Sequence, residues 1–191
     1  MAKIAILLGS VREGRQGIKA ARFIKNKFEE RKHEIFLADP LKYKLPLLEK
    51  KYAKYEEDKA PEAMKKLSKE FKEADGFIIV TAEYNHGPPA ALKNMLDHFA
   101  QEYFFKPSAI SSYTTGSFGG VRAAIQLRSI LAELGMPTIP TMFPVPKIKE
   151  AFDEDGNPLD ENYNRRIEKF VKEFEWYLEA FANQRKKGTP Y

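Results

Sequence analysis

The chain has 191 residues, enough for one domain with a large core, since a domain of this size hides roughly 70% of its unfolded-chain surface. It contains no cysteine, which excludes disulfides, thiolate metal sites and cysteine nucleophiles. Its hydrophobic content is an ordinary 43%, and no apolar run approaches the roughly 18 residues a membrane span needs. The formal charge is +5, but Lys and Arg alternate with Glu along the predicted helices. That pattern reads as a solvated surface rather than the concentrated patch of a nucleic-acid binder, and the excess favours anionic small molecules.

In chain order, apolar runs alternate with helical patterns. Met1 to Gly9 is short and weakly charged for a secretion signal. Ile4-Ala5-Ile6-Leu7-Leu8 reads as a buried strand instead, ended by Gly9-Ser10. Ile18, Ala21, Ile24 and Phe28 then follow at near-helical spacing. Residues 34–39 form a second short strand stopped by Pro40, and residues 41–60 are irregular or partly helical. Pro61 opens a helix whose apolar face is Met64, Leu67, Phe71 and Ala74. Residues 76–81 are the clearest strand, apolar throughout as a strand covered on both faces should be. A loop with Gly87-Pro88-Pro89 leads into a helix through Leu92, Met95, Leu96 and Phe99.

Residues 109–114 give a fourth strand, followed by a glycine-rich turn and a helix marked by Ala124, Leu127, Leu131 and Leu134. Residues 138–143 resemble a fifth strand weakened by Pro140. The last helix carries Ile167, Phe170, Val171, Phe174, Leu178 and Phe181. The alternation implies a single α/β domain over residues 1–185 with a frayed tail at 186–191. Its expected architecture is a flavodoxin-like, doubly wound parallel sheet of five strands, order 2-1-3-4-5, with helices on both faces. Ligands in such sheets bind beyond the carboxyl ends of the strands, at the switch between strands one and three.

Three loops meet that description. The first, Gly9 to Gly17, holds a hydroxyl (Ser10), two guanidinium groups (Arg12, Arg15) and three glycines, and opens a helix. Backbone N–H groups at a helix start attract phosphate, and Arg adds a forked charged contact. Gly9 and Gly14 have Walker spacing, but Arg15-Gln16 follow where Lys and a hydroxyl residue belong, and the G-x-G-x-x-G fingerprint also fails. A plain glycine-rich turn is the competing reading.

The second loop, residues 82–94, offers an aromatic face at Tyr84 and both donors and acceptors at Asn85. His86 is a candidate general acid, though a lone loop histidine more often serves hydrogen bonding. Glu83 and His86 lack a third ligand for a metal, so no metal site is expected. The third loop, residues 115–120, has small residues that allow close approach by a planar ring, or that serve chain reversal alone.

Together these segments resemble the NAD(P)H-dependent FMN reductases, flavodoxin-like proteins that include quinone and azo-dye reductases. The resemblance runs over roughly residues 3–159. It is carried by Gly9-Ser10-Val11-Arg12 with Gly14-Arg15 and Gly17, by Glu83-Tyr84-Asn85-His86 with residues 90–97, and by Gly119-Gly120-Val121-Arg122 with Gln126-Leu127-Arg128. Ala82 departs from the proline usual in the family.

The resemblance implies bound FMN and hydride transfer from NAD(P)H to a small electron acceptor such as a quinone, an azo compound or flavin. Flavin N5 takes the hydride, so no catalytic side chain is expected. By the same resemblance Ser10, Arg12, Gln16 and Gly17 hold the phosphate. Glu83, Tyr84, Asn85 and His86 line the ring, the first two largely through backbone atoms, and Ser117, Phe118 and Gly119 meet its other edge. Family members are typically dimers or tetramers, implying a homodimer or homotetramer here. Tyr103, Phe104 and Phe105 serve either that interface or the core. Cytoplasm is the expected location, and neither nucleic acid nor membrane is an expected partner. The competing functions are an electron carrier of flavodoxin type without its own turnover, against which the basic charge speaks, and a non-flavin phosphate-binding domain on the same fold.

Overall fold

A computed structural model describes residues 1–56 and 59–191. The first strand, β1 (Lys3–Leu8), lies between β2 (Glu34–Ala38) and β3 (Gly76–Ala82), and β4 (Ser108–Tyr113) and β5 (Phe143–Val145) follow outward. All pairings are parallel and the order is β2-β1-β3-β4-β5, the flavodoxin-like arrangement expected from the sequence. The intervening helices are α1 (Gly17–Glu29), α2 (Glu62–Glu73), α3 (Ala90–Asp97), α4 (Val121–Glu133) and α5 (Asn162–Arg185). Among the described residues, no helix is long and apolar enough to cross a membrane.

The two faces follow from the period of two along each strand. Ile4, Ile6 and Leu8 with Ile78 and Val80 face α1 and α5, meeting Phe23, Phe28, Phe170 and Phe174. Ala5 and Leu7 with Phe77 and Ile79 face α2, α3 and α4, meeting Phe71, Met95 and Leu127. Strands buried on both sides need apolar residues at every position, which is why β1 and β3 read as unbroken runs.

One expectation is corrected. The fifth strand is Phe143–Val145, not residues 138–143. Thr138 makes only an isolated bridge to Ser108, and Ile139 N–H reaches the Ser108 carbonyl. Pro140 then has no N–H to continue the ladder, and the Ile139 and Pro140 carbonyls accept from Arg128 instead. Pro144 is tolerated because β5 is an edge strand. Of the two readings for residues 103–105, the core holds for Tyr103. It is fully buried among Phe71, Phe77 and Phe99, whereas Phe104 and Phe105 are half-buried and touch the Tyr191 ring. The irregular stretch 41–60 contains one short 3₁₀ turn, Tyr52–Lys54, and its residues 57 and 58 lie outside the described residues.

The turn from β4 into α4 depends on Gly120. Its φ is +76°, and a Cβ there would stand 2.9 Å from both the N and the O of Tyr113. Gly120→Ala adds left-handed strain to a backbone clash, and an unfolding free energy lower by about 2 kcal/mol is expected in denaturant titration.

Candidate active site

The carboxyl ends of β1, β3 and β4 bring three loops to one edge of the sheet. In the first, Ser10 is buried, and its hydroxyl oxygen accepts from the Arg12 N–H at 3.3 Å and lies 2.5 Å from the Tyr84 hydroxyl. Gln16 stands at the N-cap of α1, and its side-chain amide donates to the Gly14 carbonyl. The first-turn N–H groups of α1 therefore point at the loop, as anion sites require.

The two arginines of this loop do different work. Arg15 donates to the Ser10 carbonyl at 2.8 Å and grips both carboxylate oxygens of Asp39, just past β2. Burial pushes the Asp39 carboxyl up, but the Arg15 guanidinium and the Leu41 N–H outweigh it and hold it below the usual carboxylate range. Arg12 is exposed, lies 5.7 Å from the centre of the Tyr84 ring, and forms no ion pair among the described residues. One guanidinium braces the loop, and the other is left for a ligand.

The second loop is a tight turn. Tyr84 and Gly87 exchange both backbone hydrogen bonds, which places Asn85 and His86 at positive φ. The Gln126 side chain on α4 donates to the His86 carbonyl. Glu83 turns its carboxylate to the start of α4, accepting from the N–H groups of Arg122 and Ala123 at 3.0 and 3.3 Å. Its side chain is thus committed to capping a helix, and its backbone N–H donates to the Tyr113 carbonyl.

The third loop is tied down from two sides. The Ser112 hydroxyl donates to the Gly119 carbonyl, while the N–H groups of Lys147 and Ile148 reach the carbonyls of Gly116 and Thr114.

These loops enclose a cleft of about 510 Å³, a volume in the range of cofactor sites. Of the residues expected from sequence, Ser10, Arg12, Gln16, Glu83 and Tyr84 line it. Gly17 lies beneath, packed so closely on Tyr113 that a Cβ would strike the phenol oxygen. Asn85, His86, Ser117, Phe118 and Gly119 are outside this lining, the first two in the turn held by Gln126 of α4 and the others in the turn held by Ser112 of β4. Phe118 is exposed, and the Arg122 guanidinium lies over its ring.

Sequence reasoning missed Tyr113, Thr114, Ile148 and Lys149, which also line the cleft. Thr114 adjoins a loop that drew notice for its glycines, but nothing in the pattern around Ile148 and Lys149 signals a site. Only the backbone bonds to Gly116 and Thr114 carry them there.

Residues 2–150 match the family model described as NADPH-dependent FMN reductase. The chain belongs to the NADPH-dependent FMN reductase family. It is therefore an oxidoreductase of the kind that works with FMN and NAD(P)H. Among curated relatives, an NADPH azoreductase of Bacillus sp. is 28% identical over 96% of this chain and 97% of its own length. An NAD(P)H-dependent FMN reductase of Saccharomyces cerevisiae is 32% identical over 72% of this chain and 77% of its own. Among solved structures, FerB, a flavoenzyme NAD(P)H:(acceptor) oxidoreductase from Paracoccus denitrificans, superposes with a TM-score of 0.75 at 25% identity, covering 95% of this chain and 99% of that one.

The donor set of this FMN reductase suits a flavin nucleotide. A helix start, an unpaired guanidinium and clustered hydroxyls complement a phosphate. The Tyr113 hydroxyl lies buried at the same end, beside the Ser10 side chain and the Gly17 backbone, and makes no hydrogen bond of full geometry among the described residues.

Proposed function

We propose that the cleft holds FMN with its phosphate on the β1 loop and its ring between the loops after β3 and β4, and that the enzyme passes electrons from NAD(P)H to small acceptors such as quinones, azo compounds or free flavin. The observation that carries this is the convergence of the three loops on one cleft at the switch between β1 and β3. When bound, FMN supplies the hydride chemistry. The chain supplies position and charge.

Ser10, Arg12, Gln16 and the start of α1 at Gly17 would bind the phosphate dianion. Tyr84 would give the ring a flat wall, with Glu83, Asn85 and His86 contributing mainly backbone groups at its polar edge. Ser117, Phe118 and Gly119 would meet the other edge from the turn that precedes α4. Donors in these turns would stabilise negative charge gained on reduction. A nicotinamide and then an acceptor would use the same open mouth in turn, giving ping-pong kinetics. A homodimer or homotetramer in the cytoplasm, binding neither nucleic acid nor membrane, completes the reading.

The test is anaerobic. Purified protein, supplied with FMN, is expected to show flavin absorbance that NADH or NADPH bleaches and a quinone restores. A colourless protein that takes up no added FMN would sink the proposal. Bleaching without steady turnover would point to an electron carrier.

A further inference from the structure

Three hydroxyl groups meet beneath the β1 loop: those of Ser10, Tyr84 and Tyr113. The first two lie 2.5 Å apart, a hydrogen bond in which either can donate. The third lies beside the Ser10 side chain and the Gly17 backbone, and burial pushes its phenol up to about 12. It is sealed from solvent and has no hydrogen-bond partner of full geometry. Leaving a buried hydroxyl unpaired forfeits the hydration it had in the unfolded chain. A phenylalanine would fill the same space without that cost, so packing alone does not account for the oxygen. The notch that receives it exists only because the first residue of α1 is Gly17.

We infer that Tyr113 is a positioning residue for the phosphate end of the flavin nucleotide, donating its proton to Ser10 Oγ so that Ser10 directs its own proton to the phosphate. The inference rests on the FMN reading above. A serine hydroxyl has one proton to give and two lone pairs to receive. Ser10 lines the cleft, and its oxygen already accepts from the Arg12 N–H. A second donor, Tyr113, fills its acceptor capacity and leaves its proton as the only bond it can still make. A phosphate dianion offers acceptors only, and it arrives where the α1 N–H groups and Arg12 also point. Tyr84, released from Ser10, turns its ring to the isoalloxazine. Riboflavin, which has no phosphate, gains nothing from this arrangement.

Dissociation constants for FMN and riboflavin, read by flavin fluorescence on the full chain, decide the matter. Tyr113→Phe is expected to weaken FMN by about three- to tenfold, leave riboflavin unchanged, and not lower the unfolding midpoint. In a Ser10→Ala background the same change should cost nothing further. Equal loss for both flavins would mean a packing role and overturn the inference, as would unchanged FMN affinity or a full additional loss without Ser10. A wild-type chain that binds neither flavin overturns the FMN reading and this inference together. One that binds FMN no better than Tyr113→Phe overturns the inference alone.

Discussion

Arg15→Ala is expected to lower the unfolding free energy by about 3 kcal/mol at neutral pH, because it strands a largely buried Asp39 carboxylate. The wild-type pair is forked, and the same guanidinium also holds the Ser10 carbonyl. One substitution therefore releases both the tip of β2 and Ser10 in the loop after β1.

The pH dependence gives the sign. Asp39 sits below its ordinary range when folded, so its contribution is complete above the unfolded value of about 3.9 and fades as pH falls below it. The stability gap between wild type and Arg15→Ala should be widest near neutrality and should close on acidification. Urea titrations at neutral pH and near pH 3 measure it. Replacing Arg15 and Asp39 together by leucine should cost less than Arg15→Ala alone, since no charge is then left buried. A gap that stays constant across that pH range would mean that the ion pair is not the cause.

Arg12→Ala should leave the fold intact and strike the ligand. Arg12 is exposed and makes no ion pair among the described residues, so its removal strands no partner. Loss of a charge-assisted contact to phosphate corresponds to about 1.5–3 kcal/mol, or roughly ten- to hundredfold in the FMN dissociation constant. Riboflavin affinity should barely change. Arg12→Lys should fall between the two, because an ammonium keeps the charge and loses the fork. Raising the ionic strength should weaken FMN binding to wild type more than to Arg12→Ala, as screening acts on the charge that was removed. FMN affinity that survives Arg12→Ala would take the phosphate away from this side chain.

Much of the fold was legible in the sequence because its signals are local. The unbroken apolar run of β3, the 3.6-residue spacing on α2 and α5, and Pro61 before α2 each report on a few neighbours along the chain. The loops after β1, β3 and β4 were legible for the same reason: phosphate and ring recognition draw on glycines, hydroxyls and amides grouped within a dozen residues. The misplaced fifth strand shows the limit. Residues 138–143 have an apolar pattern, but an edge strand is fixed by which backbone groups its neighbour leaves open. Pro140 and the Arg128 contacts to two carbonyls shifted the pairing to Phe143–Val145.

Composition and order of elements by themselves determined a cysteine-free α/β chain, the sheet order, and a glycine-, hydroxyl- and arginine-bearing loop at the end of its first strand. Tertiary structure alone decided that Arg15 belongs to Asp39 while Arg12 forms no ion pair among the described residues, that Glu83 caps α4, that Ile148 and Lys149 line the cleft, and that the Tyr113 oxygen rests in the notch left by Gly17. The reason is physical. Periodicity and turn chemistry are written in adjacent residues, whereas the partner of a charge or a hydroxyl depends on which distant atoms the finished fold brings within three ångströms.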